Sequence, residues 1–273
     1  MICQKLWLYS DDPRIDFETE IDWHEQHMLV KAAFPLDVHT SEGTYEIQFG
    51  NLKRPTHENT SWDAAKFEVC AHKWADLSEY GYGASILSDC KYGFNAEGST
   101  LKITMLKCGT DPNPLADQGR HVFTYSLLPH LGDYRCGTVQ EAYCLNVPAI
   151  SRKIETTDNN ADDLNDLMVL DGADQAGMNQ AGTLPATFSL LSVDKENVIP
   201  ETVKPAEDGH GIIVRLYDAY DMRTEATLRA GFPFRKAWLC DMLENREAEL
   251  PVAADGTVSF PVKNFEIVTL RLE

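Results

Sequence analysis

The constraint that most narrows the fold is a two-residue rhythm of apolar and polar side chains. Ile15, Phe17, Thr19, Ile21 and Trp23 fall on one side of an extended backbone, and Asp16, Glu18, Glu20 and Asp22 on the other. Successive side chains of a strand point to opposite faces, so the pattern predicts a strand with one face on a core and one in water. The rhythm recurs in Leu101, Ile103 and Met105, with Lys102 and Thr104 between them, after the turn-forming Asn95-Ala96-Glu97-Gly98. It returns in Ile212, Val214 and Leu216 around Arg215 after Glu207-Asp208-Gly209, and in Val258, Phe260 and Val262 after Asp255-Gly256. Helical spacing is confined to short stretches near Ala116 and between Asp162 and Leu170. Many strands separated by turn signals predict an all-β protein built of sandwiches.

One segment breaks the pattern. Residues 155–182 hold seven acidic side chains and no lysine or arginine, and Asn, Gly and Ala supply much of the rest. Within it Leu164, Leu167, Met168 and Leu170 are spaced for one or two turns of amphipathic helix, but the apolar surface is too little to offset ordering the whole stretch. It is expected to be a surface excursion near the end of a large β-sandwich, residues 1–184. A small terminal β-sandwich, residues 185–273, then follows, entered through the extended steps Leu184-Pro185 and Ile199-Pro200.

Charge and cysteine usage limit the partners. Twenty-four basic residues against 43 acidic ones leave a formal charge of −19, which argues against nucleic acid and anionic membrane. No apolar run is long enough to cross a bilayer, and no signal peptide is visible. The chain opens inside a strand-like run, Ile2 to Tyr9, as a portion of a longer protein would. Seven cysteines, an odd number without CxxC spacing, suit reduced, mostly buried thiols in a cytoplasmic protein rather than a disulfide framework or zinc knuckle.

Chemistry-bearing residues concentrate between Arg54 and Tyr92, where His57, Asn59, Asp63, His72, Lys73, Asp76, Asp89 and Lys91 are interleaved with Trp62, Trp74, Tyr80, Tyr82 and Tyr92. Sugar hydroxyls need paired donors and acceptors, and a sugar's C–H face stacks on an aromatic ring. A packed set of β-connections, with polar groups satisfying each other, uses the same residue types. Asp63, Asp76, Glu79 and Asp89 form the pool from which a glycosidase pair about 5–5.5 Å apart would be drawn. Bracing hydrogen bonds are the simpler role for them. His24-Glu25-Gln26-His27 spaces its histidines by three rather than the zincin four, and an alternating strand would send them to opposite faces. Gly81-Tyr82-Gly83 lacks the rest of a nucleotide fingerprint and reads as a backbone bend.

The wording of the Arg54–Tyr92 run resembles the C-terminal half of the family 38 glycoside hydrolases, the α-mannosidases, and in particular their cytosolic and bacterial branch. The run from Asp12 to Glu25, Phe34-Pro35-Leu36-Asp37-Val38, the stretch Ala116 to Tyr125, Leu128-Pro129-His130, Gly211 to Tyr220, and Phe260 to Glu273 follow in the family's order. Residues 155–182 have no counterpart.

The resemblance implies a galactose mutarotase-like supersandwich followed by the small sandwich. It also implies a retaining, zinc-dependent α-mannosidase acting on mannose-containing oligosaccharides, of which this chain is the C-terminal part. The nucleophilic aspartate and the zinc ligands then lie on an N-terminal barrel followed by a helical domain, both partners of this chain. No catalytic residue and no metal ligand is expected here, and the chain alone is expected to be inactive. Arg54, His57, Asn59, His72, Trp74, Asp76 and Lys91 are the candidates for the substrate rim. A carbohydrate-binding or purely structural module packed against the barrel is the competing reading. Freed of its partners, such a module is expected to expose an apolar patch and to self-associate.

Overall fold

The computed structural model describes residues 1–151 and 187–273. The excursion at 155–182, its short helix and the 184/185 boundary lie outside the described residues. What is described is nearly all β, as the alternation predicts. A seven-stranded antiparallel sheet has the order β1-β2-β11-β8-β7-β4-β5. Its strands are β1 (Ile2–Leu8), β2 (Ile15–Trp23), β4 (Glu42–Ile47), β5 (Gly50–Pro55), β7 (Trp74–Ser78), β8 (Tyr82–Ser88) and β11 (Gly119–Leu131). A four-stranded sheet, β3-β10-β9-β6, combines β3 (Leu29–Pro35), β6 (Val69–Cys70), β9 (Gly93–Glu97) and β10 (Thr100–Lys107).

Between these two sheets lies a core of Ile21, Tyr45, Leu77, Ile86, Phe94, Leu101, Ile103, Phe123 and Tyr125. Leu101, Ile103 and Met105 face inward as expected. A bulge in the β10–β3 pairing between Thr104 and Leu106 lets Leu106 turn inward as well, since an extra residue resets the alternation.

The second unit pairs a three-stranded sheet, β12-β15-β18, with a five-stranded one, β13-β14-β19-β16-β17. The strands are β12 (Leu191–Val193), β13 (Val198–Pro205), β14 (Ile212–Asp218), β15 (Thr224–Ala230), β16 (Ala237–Cys240), β17 (Arg246–Leu250), β18 (Thr257–Val262) and β19 (Ile267–Leu272). Val214, Leu216, Val258, Phe260 and Val262 enclose its core.

The alternation fails where the seven-stranded sheet is covered on both faces. Its outer face receives α2 (Thr138–Asn146) and the small unit, packed through Trp74, Leu87, Leu128, Tyr134, Val139, Ala142, Tyr217, Ala219 and Tyr220. Asp16, expected in water, is therefore 5% exposed. Its carboxylate accepts from Ser126 Oγ at 2.6 Å, Arg14 Nε at 2.9 Å and Tyr9 Oη at 2.8 Å. Of the two short helices, neither lies near Ala116, where the chain makes a turn. The other is α1 (Ser61–Ala64).

Two further expectations are corrected. His24 to His27 form the turn between β2 and β3 rather than a strand, and His24 Nε2 lies 2.9 Å from Asp22 Oδ1. All seven cysteines are free, but only Cys108 and Cys240 are buried; the other five, Cys144 on α2 among them, are exposed. The first strand is exposed along its whole length. Ile2, Leu6, Trp7 and Leu8 are exposed, and among the described residues β1 is an edge strand paired only with β2.

Candidate functional site

The Arg54–Tyr92 run divides into three environments. Its first part is a solvent-facing loop and the single-turn helix α1. Thr60 caps that helix, accepting from Asp63 N at 3.1 Å and donating its hydroxyl to Asp63 Oδ2 at 2.8 Å, the reciprocal pattern that starts helices. His57 and Asn59 are exposed here, with His57 Nδ1 3.8 Å from Asp63 Oδ2. Trp62 is exposed too. Arg54 precedes the loop on β5, half-buried, with its guanidinium carbon 4.8 Å above the Tyr45 ring. Burial lowers the Arg54 pKa and pushes the Tyr45 hydroxyl up to about 12.

The middle of the run is sealed beneath α2. Trp74 stacks on Tyr134 at 5.0 Å and, at 2% exposure, presents no ring face to solvent. Asp76, 1% exposed, accepts from Ser78 Oγ at 2.7 Å, Ser85 Oγ at 2.8 Å and His130 Nε2 at 2.7 Å. Ser85 also meets Thr138 Oγ1 at 2.8 Å, which ties the start of α2 to the sheet. Asp, His and Ser are together, yet not as a nucleophilic triad. Ser85 and Asp76 both approach the same ring nitrogen of His130, whereas a relay needs base and orienting acid on opposite nitrogens.

Asp89 accepts from Thr124 N at 2.8 Å, and Glu79 from His39 N at 2.8 Å. The four carboxylates Asp63, Asp76, Glu79 and Asp89 thus each satisfy a different set of donors on different elements. Among the described residues no three His, Cys, Asp or Glu side chains gather as a metal site, so the residues present do not fit a zinc centre.

The last part of the run opens onto a cleft of about 270 Å³ at the junction of the two units. Its walls are the β4–β5 hairpin tip (Ile47, Gln48, Phe49), His72, Lys73 and Tyr92, α2 through Tyr143 and Asn146, and Glu201 from β13. Phe49 takes a left-handed backbone, φ 57°, which lets its ring pack edge-on to Tyr217 at 5.6 Å. Gly50 must follow it, because a Cβ there would meet the Phe265 ring at 2.9 Å. Lys73 Nζ sits 2.6 Å from Glu46 Oε1 and 4.7 Å from the Tyr143 ring centroid. Lys91 lies apart, its Nζ 4.4 Å over Phe123.

A second concavity, about 540 Å³, is lined by Tyr82, Leu128, Pro129, His130, Leu131 and the start of α2. Gln48, Tyr143, Asn146 and Glu201 went unremarked in the sequence. They come from three separate segments, and α2 carries only a weak apolar stripe.

The family model described as the glycosyl hydrolases family 38 C-terminal domain matches residues 1–115. That described as the family 38 C-terminal beta sandwich domain matches residues 197–270. The chain belongs to the C-terminal region of the family 38 glycoside hydrolases. It is 40% identical over 99% of its length to Alpha-mannosidase 2C1 of Homo sapiens, covering 24% of that protein. It is 34% identical to Alpha-mannosidase G of Dictyostelium discoideum over 98% of its length, covering 23%. With the Alpha-mannosidase of Saccharomyces cerevisiae it shares 31% over 95%, again covering 24%. The crystal structure of an alpha-mannosidase from Enterococcus faecalis V583 superposes on the whole chain with a TM-score of 0.74 at 18% identity, over 29% of that structure. The chain therefore spans about a quarter of the length of the curated relatives it matches.

Proposed function

We propose that this chain is the C-terminal, non-catalytic part of a retaining, zinc-dependent α-mannosidase that removes terminal α-mannosyl residues from oligosaccharides. The observation that carries this reading is a match to proteins named alpha-mannosidase along 95–99% of the chain that covers only 23–24% of each. The zinc and the nucleophile belong, in this reading, to an N-terminal barrel and helical domain that pack against the chain. The separate commitments of Asp63, Asp76, Glu79 and Asp89 agree with a catalytic pair located elsewhere. His57, Asn59, His72, Lys91 and Arg54 are the residues proposed for the substrate rim. Trp74 and Asp76 brace the sheet beneath them.

Seven free thiols, five of them exposed, support a reducing, cytoplasmic setting. No helix among the described residues is long and apolar enough to cross a membrane.

The test is hydrolysis of an aryl α-mannoside with added zinc, by the chain alone and by the intact protein. Turnover by the intact protein and none by the chain is expected. Turnover by the chain above blank would show a catalytic pair of its own. An intact protein that binds mannosides without cleaving them would favour the alternative, a carbohydrate-binding or structural module.

A further inference from the structure

The junction cleft has the composition of a ligand site, and the ligand it suits is a neutral sugar ring. At about 270 Å³ it lies just under the ~300–1,000 Å³ range of small-molecule pockets, room for one ring. Two exposed aromatics border it, Tyr92 at 53% and Phe49 at 37%. Tyr92 is held by the His72 ring 5.4 Å away, and Phe49 by its contact with Tyr217.

The polar groups are balanced. Gln48 Nε2 and His72 Nε2 share one hydrogen bond at 2.9 Å, which leaves the second amide hydrogen of Gln48, the other ring nitrogen of His72 and Lys73 facing the cleft, with the side-chain oxygens of Gln48 and Asn146 and the carboxylate of Glu201 as acceptors. Asn146 uses its amide nitrogen on Ser88 O and Ala142 O, which orients its oxygen away from those carbonyls. The charge of Lys73 is neutralised by Glu46, and Glu201 adds a negative charge, so phosphate and carboxylate ligands are disfavoured. Hydroxyls, which both donate and accept, match such a set.

The walls are preorganised. The hairpin tip is locked by Phe49 and Gly50, and α2 is joined to β14 by Tyr143 and Tyr217. Ordering them on binding costs little.

We propose that this cleft binds one hexose unit of a manno-oligosaccharide, with Tyr92 as stacking platform and Gln48, Asn146 and Glu201 as hydroxyl partners. The identity of the sugar rests on the α-mannosidase reading; the neutral-polyol chemistry does not.

The test is an amide chemical-shift titration of this chain with mannotriose, with maltotriose and choline as controls. Saturable shifts confined to Gln48, His72, Tyr92, Asn146 and Glu201 are expected with mannotriose. Tyr92→Ala is expected to weaken binding about tenfold, as truncating a contact aromatic does, with an unchanged melting temperature because Tyr92 is half exposed. Should that variant unfold, Glu201→Gln, on the wall contributed by β13, reads a second contact and is expected to weaken binding as well. A silent titration, shifts that neither variant alters, or binding of choline in preference to the saccharide would overturn the proposal. Cleavage of an aryl α-mannoside by the intact protein is a separate reading. Its absence sinks the enzyme assignment and leaves the titration as measured, while a silent titration beside retained cleavage removes only the cleft.

Discussion

The Tyr143 and Tyr217 hydroxyls meet at 3.0 Å, one from α2 and one from β14, and so join the two sandwiches by a hydrogen bond, beside those of Gln140 with Tyr220 and of Asn51 with Ala219 O. Burial, reinforced by each ring's neighbour, pushes the Tyr217 hydroxyl far above its ordinary value, so the bond persists through the alkaline range. Tyr143→Phe and Tyr217→Phe are each expected to lower stability by about 1 kcal/mol, the net worth of one hydrogen bond. The double variant should cost less than the sum, because the pair is one interaction. Denaturant unfolding of the four proteins checks this; strict additivity would show that the hydroxyls do not couple.

Asp76 is expected to behave as a brace. Asp76→Ala removes the acceptor of Ser78 Oγ and the 2.7 Å partner of His130 Nε2, and leaves Ser85 Oγ only Thr138 and His130, at roughly 1–3 kcal/mol for each buried group left unpaired. His57→Ala, in an exposed loop, should leave the melting temperature unchanged. Following kcat/KM beside melting in the intact protein separates the roles. An Asp76 variant that keeps its melting temperature while losing activity would place that residue at the substrate.

The acid limb of stability is expected to come in part from two carboxyls of the small unit. The hydrogen bond from Arg271 holds Asp208 below the usual carboxylate range, and that from Lys204 does the same for Glu244. A carboxyl depressed by folding contributes stability that is fully present above its unfolded pKa and is lost as pH falls through its folded value. Unfolding midpoints should therefore hold steady from neutrality and decline below about pH 4. Arg271→Met should shallow that decline by releasing Asp208, and an identical acid limb in the variant would refute the assignment.

Self-association is expected through β1. Among the described residues its outer edge has no partner strand, and Leu6, Trp7 and Leu8 are 60%, 50% and 75% exposed, the kind of edge that templates further pairing. Light scattering should show the weight-average mass rising with concentration, and Leu6→Lys with Trp7→Lys should abolish the rise. A strict monomer at high concentration would remove β1 as an adhesive edge.

Several features were legible from local pattern. The spacing of Leu101, Ile103 and Met105, and of Val258, Phe260 and Val262, placed those side chains in the core before any coordinates. Asp255-Gly256 marked a true turn, with Gly256 at φ 77°. Asp16 was misread, and the role of Asp76 was left open between rim and brace, for one reason: a strand's alternation reports which way a side chain points and says nothing of what lies above it. Both aspartates point away from the inner core; Asp76 is buried beneath α2, a helix whose weak periodicity gave no warning, and Asp16 among Tyr9, Arg14 and Ser126.

The amino-acid sequence by itself determined the β architecture, the order of the strands' hydrophobic faces and the kinship with family 38. Each is encoded by residues close together in the chain or by the wording of contiguous runs. Only the tertiary structure decided that Trp74 and Asp76 are braces, that Tyr143 meets Tyr217, and that Gln48, Tyr92, Asn146 and Glu201 share one cleft. Those relationships join residues from distant segments, and they arise from the packing of one sandwich on the other face of its neighbour's sheet.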